Sequence, residues 1–237
     1  MARYPTRTPH GLESAEGGVA AVDRALLVLL TFGPSDRSLG LQELADRTGM
    51  VKSTLLRMIA SLQHFELVRR LDDGSYALGP TVARLYDNYT SSFSLDTVVP
   101  QALARLVEKT HESASFHVQQ GEHRLVLFRV NSPQPLSDQS RAGDLFPLHK
   151  GAGGHVIRAF SGAQGPLYDQ IRKNRVYAAI SDRVPELAGI SAPVFEAGGR
   201  LVGAVTLTMP RSRYRESLAE NVRACADDLT RRLGGTG

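Results

Sequence analysis

Two short amphipathic segments separated by Thr48-Gly49-Met50 constrain this chain more than any other feature. Over Leu41 to Arg47, Leu41, Leu44 and Ala45 share one helical face, with Gly40 at the N-cap position and Glu43 three residues on, where a carboxylate favours the helix dipole. From Val51 to His64, Leu55, Met58, Ile59 and Leu62 recur at three- and four-residue steps. Neither helix buries enough alone, so both need partners. One lies upstream from Val19, where Val22, Ala25, Leu26, Leu29 and Leu30 form an apolar face that Gly33-Pro34 ends. The other is a hairpin: Leu67 to Leu71, then Asp72-Asp73-Gly74-Ser75, then Tyr76 to Leu78, with Asp-Gly supplying the positive backbone dihedrals of a tight turn. Helix, helix-turn-helix and hairpin in this order predict a winged helix-turn-helix over residues 19–79.

Charge placement points to a polyanionic partner. The whole chain carries a net +4, yet cations and anions balance over residues 1–80, so bulk charge decides nothing. Between Val51 and Arg70, however, Lys52, Arg57, Arg69 and Arg70 meet only Glu66. A helix entering the major groove needs short polar and cationic side chains at its exposed N-terminal end. Lys52, Ser53, Thr54 and Arg57 occupy those positions, Arg57 within reach of a guanine edge, and Arg70 and Ser75 belong to the wing. The same pattern suits a helical subdomain with solvated cations, and winged helices also dock on proteins.

The remaining segments predict a second domain. Residues 1–18, with Pro5, Pro9, Gly11, Gly17 and Gly18, read as a flexible tail, and residues 80–95 as a linker helix (Val82, Leu85, Tyr86) running into a Thr90-Ser91-Ser92 hinge. Over 96–237, helices are expected at Val98–His111, Gly154–Phe160, Leu167–Lys173 and Ser217–Leu233, and strands at Ser113–Gln119, Leu125–Val130, Gly189–Phe195 and Leu201–Met209. Hairpin-linked strands interleaved with helices imply α+β with a mainly antiparallel sheet.

Hydrophobic residues make up 42% of the 237, enough for two cores. No apolar run approaches a bilayer's thickness, so a cytoplasmic protein with no membrane partner is expected. Cys225 is the only cysteine and is read as a small packed residue, and His149 and His155 lack a third ligand, so His149 is read as a core or pocket residue rather than a metal ligand. No metal and no cofactor is expected. Gly-x-Ser-x-Gly, His-Glu-x-x-His and Walker motifs are absent, which argues against an enzyme, although a hydrolase assembled from distant residues such as His117 stays open. Gly151-Ala152-Gly153-Gly154 ahead of an apolar helix lets amides approach an anionic ligand, or simply lets helix pack on sheet.

The stretches VDRALLVLLTF, LQELADRTGMVKSTLLRMIASL and LVRRLDDGSYALGP resemble, in order and spacing, the DNA-binding domain of the IclR family of bacterial transcription regulators. AGDLFPLHKGAGGHVI, ISAPVFEAGGRLVGAVTLTMP and the closing helix are similar to that family's effector-binding domain. The resemblance implies a winged helix that binds palindromic operators as a homodimer or homotetramer, and a GAF-like C-terminal domain that binds a small organic acid, amino acid or aromatic catabolite. It also implies pocket residues: amides of Ala152 and Gly153, an apolar wall at Phe146, inward hydroxyls of Thr206 and Thr208, and polar lining from Asp138 and Ser181. Gly189 stands where many members have a cysteine, at the end of a loop, Asp182 to Gly189, that is shorter here.

Overall fold

The computed structural model describes residues 17–33, 35–91 and 95–235. The chain divides between Tyr89 and Thr90 into two compact units. The tail expected over 1–18 lies outside the described residues except for Gly17 and Gly18, as does Ser92 of the expected hinge.

The first unit contains α1 (Ala20–Leu30), α2 (Leu41–Thr48), α3 (Lys52–His64), β1 (Val68–Arg70), β2 (Tyr76–Leu78) and α4 (Pro80–Ser91). Leu44, Ala45, Leu55, Ile59 and Leu62, the residues picked out by helical spacing, are buried together with Val28, Leu39, Met50, Val68 and Tyr76. The Glu43 carboxylate accepts the Gly40 amide at 3.0 Å, closing the start of α2. β1 and β2 pair antiparallel, Arg70 opposite Tyr76, and Leu39 exchanges two backbone hydrogen bonds with Tyr76, which welds the wing to the α1–α2 connection. The wing turn differs from the expected Asp-Gly pair of positive dihedrals. Only Gly74 is left-handed (φ 82°), the Gly74 amide reaches the Leu71 carbonyl at 2.9 Å, and Leu71 reaches Ser75 at 2.8 Å, a turn followed by a single left-handed residue that glycine adopts without strain.

α1 carries a second correction. Its core contacts come from Ala25, Leu27, Val28 and Leu29, whereas Val22, Leu26 and Leu30 of the expected buried face are about half exposed. The helix is apolar nearly all round, so spacing alone offers two stripes, and only one meets α3.

The second unit contains α5 (Leu95–Thr110), β3 (Ser113–Gln120), β4 (His123–Val130), β5 (Leu145–Pro147), α6 (Gly151–Phe160), α7 (Pro166–Asn174), β6 (Tyr177–Ile180), β7 (Leu187–Phe195), β8 (Leu201–Pro210) and α8 (Leu218–Arg232). Six strands form one antiparallel sheet in the order β5-β4-β3-β8-β7-β6. The short edge strands β5 and β6 had no signal of their own, and the glycine-rich stretch proves to be the first turn of α6 rather than a loop before it.

Strand alternation sorts the sheet into two faces. Phe116, Val118, Ile190, Val194, Val205, Leu207 and Met209 join α5 and α8 in the main core. Their neighbours Ser115, His117, Gly189, Ser191, Thr206 and Thr208 therefore project to the face covered by α6, where a smaller core of Leu148, Val156, Ile157 and Ile171 leaves room for a polar cavity.

Candidate nucleic-acid interface and ligand pocket

At the start of α3 the chain exposes what a duplex needs. Lys52, Ser53 and Arg57 are exposed and Thr54 is half-buried, while Leu55, Ile59 and Leu62 anchor the opposite face. Val51 occupies the N-cap with no side-chain acceptor, and no acidic residue lies in the first turn, so the leading amides and the positive end of the dipole face outward. Arg70 is exposed on β1, and among the described residues neither it nor Lys52 or Arg57 forms an ion pair. Ser75 behaves differently from its expected role: its hydroxyl and its amide both donate to Asp73 Oδ1, at 2.6 and 2.9 Å, so it shapes the wing tip.

The pocket of the second unit encloses about 450 Å³ of empty space, its mouth included. β3, β7 and β8 supply Ser115, His117, Gly189, Thr206 and Thr208, the first turn of α6 supplies Gly151 and Ala152, and β4 supplies Arg124 and Arg129. These two arginines lie five residues apart, yet both stand opposite odd-numbered residues of β3, Gln119 and Ser115, because the register slips between Phe116 and His117. The extra residue on β4 reverses its alternation and brings both guanidiniums to one face.

Asp138 and Ser140, from the loop before β5, close one side of the cavity. Asp138 takes Arg129 at 3.4 Å on Oδ2 and Arg183 at 3.2 Å on Oδ1, and Ser140 donates to it at 2.6 Å. Arg129 also donates to Ser115 Oγ at 3.0 Å and to the Asp138 carbonyl at 2.9 Å. Asp182 occupies the start of α6, accepting the Gly151 amide at 2.5 Å and meeting His155 Nε2 at 3.1 Å. Burial works to raise its pKa, and the amide and His155 outweigh that and hold the carboxyl below its usual range. The anion expected at this helix end is thus the protein's own.

Arg124 sits 3% exposed with Nη1 donating to the carbonyls of Pro147 (3.0 Å) and Lys150 (2.7 Å), and its Nε is buried with no acceptor. An unmade hydrogen bond of this kind costs ~1–3 kcal/mol. Burial, then the Arg183 cation, push the guanidinium down to about 9, still a cation at neutral pH. Phe146 lies 5.1 Å from Arg124 and 4.4 Å from Arg183, an aromatic face shared by two cations. Burial, followed by the charges of Arg124, Arg183 and Arg129, holds the His117 imidazole well below its usual pKa, so it is neutral. Its Nδ1 lies 3.1 Å from Thr206 Oγ1, which is 2.9 Å from Ser191 Oγ, which donates to the Val205 carbonyl at 2.8 Å. Three guanidiniums thus face two carboxylates, an excess of positive charge in a nearly closed site.

Of the expected pocket residues, Asp138, Phe146, Ala152, Gly189, Thr206 and Thr208 line this cavity. Gly153 and Ser181 do not. A Cβ at Gly153 would lie 2.6 Å from His117 Nδ1 and 2.8 Å from Thr206 Oγ1, so glycine is required there by close packing of α6 on the sheet. Ser181 is exposed and donates to the Pro185 carbonyl at 2.7 Å; the pocket takes its neighbours Asp182 and Arg183 instead. His149 is exposed, not a core or pocket residue. The three arginines carry no sequence signal beyond being charges in or beside strands. Among the described residues, no group of three or more His, Cys, Asp or Glu stands ready to hold a metal ion.

An exposed recognition-type helix and wing in one unit, and a polar cavity in an α+β domain in the other, define a transcription regulator with a DNA-binding and a ligand-binding part. The chain belongs to the IclR family: the IclR helix-turn-helix domain matches residues 21–72, and the bacterial transcriptional regulator IclR C-terminal domain matches residues 87–165. It is 26% identical to the HTH-type transcriptional regulator Rv1719 of Mycobacterium tuberculosis, over 88% of this chain and 89% of that protein. It is also 26% identical to the glycerol operon regulatory protein of Streptomyces coelicolor, over 91% and 97% of the two chains. The fold matches an IclR homolog from Microbacterium hydrocarbonoxydans crystallised with 4-hydroxybenzoate (TM-score 0.80, 19% identity, 90% of this chain and 98% of that one).

Proposed function

We propose that this regulator grips operator DNA by laying the start of α3 in the major groove and the wing along the backbone, and that a small organic acid in the pocket of the second unit alters its affinity. The observation that carries the DNA half is the exposed set Lys52, Ser53 and Arg57 at an uncapped helix start, with Arg70 on the wing and no ion pair to any of these cations among the described residues. Thr54, half-buried, completes the helix tip, and Ser75 acts through the shape of the turn. The excess of guanidinium over carboxylate in the pocket supports an anionic ligand, and the glycerol operon and 4-hydroxybenzoate relatives support a small organic one. The second unit reads as GAF-like, a six-stranded sheet between helices.

Val19, Val22, Leu26 and Leu30 form a half-exposed apolar stripe along α1, the kind of surface a second copy covers. We read the protein as a homodimer through this stripe, with pairing into a homotetramer compatible with the same arrangement, because two recognition helices match two half-sites of a palindrome. No helix among the described residues is long and apolar enough to cross a membrane, which supports a cytoplasmic regulator without a membrane partner. Relatives named as regulators support a binding protein rather than an enzyme.

The test is an electrophoretic mobility shift on DNA upstream of the protein's own gene. Arg57→Ala is expected to cost roughly ten- to hundredfold in specific affinity, as loss of a bidentate base contact does. Unchanged affinity and unchanged sequence preference in that variant overturn the assignment of α3 as the reading helix.

A further inference from the structure

Counting hydrogens along the buried chain of hydroxyls fixes the tautomer of His117. The Val205 carbonyl can only accept, so the single hydrogen of Ser191 Oγ is committed to it. Ser191 must then accept from Thr206, whose own hydrogen is spent in turn. Thr206 Oγ1 can therefore only accept from His117, and the imidazole carries its proton on Nδ1. Nε2 is left as a bare lone pair on a ring that lines the cavity, and no described residue bonds it. The hydroxyl of Thr206, for its part, has no hydrogen left to offer a ligand.

Arg124 presents the complementary half. Its Nη1 is held by the Pro147 and Lys150 carbonyls, so the guanidinium cannot swing, and the Nε–Nη2 edge, the fork that matches a carboxylate, receives no hydrogen bond from any described residue. The two groups are close: one point above Gly153 lies 2.6 Å from His117 Nδ1 and 3.3 Å from Arg124 Nε. One small molecule spans both.

We propose that the pocket is built for a hydroxycarboxylate, its carboxylate received on the Nε–Nη2 edge of Arg124 and its hydroxyl hydrogen by Nε2 of His117. This rests on the reading of the second unit as a binding site for an organic acid and makes it specific. An acid lacking the hydroxyl leaves the His117 lone pair unanswered. An amino acid offers a donor but brings an ammonium group among Arg124, Arg129 and Arg183, whose charges already disfavour a cation at His117, while Asp138 and Asp182 are engaged by their own partners. A neutral donor beside a carboxylate satisfies both constraints.

Calorimetric titration of the full chain with L-lactate, propionate and L-alanine, which differ at one substituent, tests the proposal at neutral pH. Lactate is expected to bind roughly five- to tenfold more tightly than propionate, the difference one neutral hydrogen bond makes, and alanine more weakly than either. His117→Leu is expected to bind lactate and propionate alike, and Arg124→Met to lose at least tenfold for both, with thermal melts confirming folded variants. ¹⁵N-histidine NMR of the wild-type chain reads the tautomer directly: Nδ1 protonated, with the Nε2 resonance moving on lactate and not on propionate. A protonated Nε2, equal binding of lactate and propionate, or an Arg124→Met variant with wild-type affinity overturns the proposal alone. Absence of binding by all three acids overturns the organic-acid reading beneath it as well.

Discussion

Asp138→Asn should be the most costly single-atom change in the second unit. Asp138 and Arg129 have side chains only 3% and 4% exposed, and Arg183, 17% exposed, shares the same carboxylate. Asparagine keeps the volume but removes the charge that offsets two guanidiniums, and it turns one oxygen into a donor facing donors. Three pocket arginines would then be opposed by Asp182 alone, itself committed to Gly151 and His155. Removing one partner of a buried pair costs ~3–5 kcal/mol. In a domain of this size one kcal/mol corresponds to roughly 2–4 °C in melting temperature, so the unit should melt about 10 °C lower. The assay is thermal unfolding at neutral pH followed by circular dichroism. A carboxylate anion should restore part of the loss, more than chloride at equal ionic strength, because it supplies the missing charge. A variant melting within about 2 °C of wild type would falsify the claim that Asp138 is the electrostatic keystone of the pocket.

His117 makes stability depend on pH in a definite direction. Its folded pKa lies below the unfolded value of 6.5, so the unfolded chain gains a proton first, and stability falls as pH drops below that value, by about 1.4 kcal/mol per unit until the folded imidazole titrates. Urea midpoints at several pH values should show this slope, and His117→Gln should flatten it. Gly153→Ala forces a methyl group into His117 and Thr206 and should cost ~1–3 kcal/mol, read as a lower melting temperature with weakened ligand binding. Leu26→Glu on the exposed stripe of α1 should leave the melting temperature of a folded monomer nearly unchanged while shifting sedimentation from dimer to monomer; a dimer that persists removes the stripe from the interface. Lys52→Ala should weaken DNA binding evenly across sequences and reduce the salt slope by about 0.9 per lost phosphate contact.

The first unit was nearly legible as sequence because its decisions are local. Helical spacing selected Leu44, Leu55, Ile59 and Leu62, and all are buried; the order helix, helix, hairpin left one way to bury them together. Motif strings in both halves carried the family, and charge placement marked the tip of α3. Yet spacing failed on α1, because a helix apolar on two sides does not say which side meets a partner. In the second unit, alternation placed Thr206 and Thr208 on one face of β8, and both line the cavity.

The chemistry of that cavity came from elsewhere. Arg124, Arg129 and Arg183 meet around Asp138 only because β4 carries one extra residue against β3 and because the β6–β7 loop folds back over the sheet. The single tautomer of His117 depends on Ser191 and Thr206 standing side by side on neighbouring strands, a pairing set by sheet register. The sequence by itself determined the helices, the wing, the family and the exposed cations of α3, since each is written in spacings of a few residues. Tertiary structure alone decided what the pocket can bind, because its charges and lone pairs come from strands and loops distant in the chain, and their net field exists only once the sheet is paired.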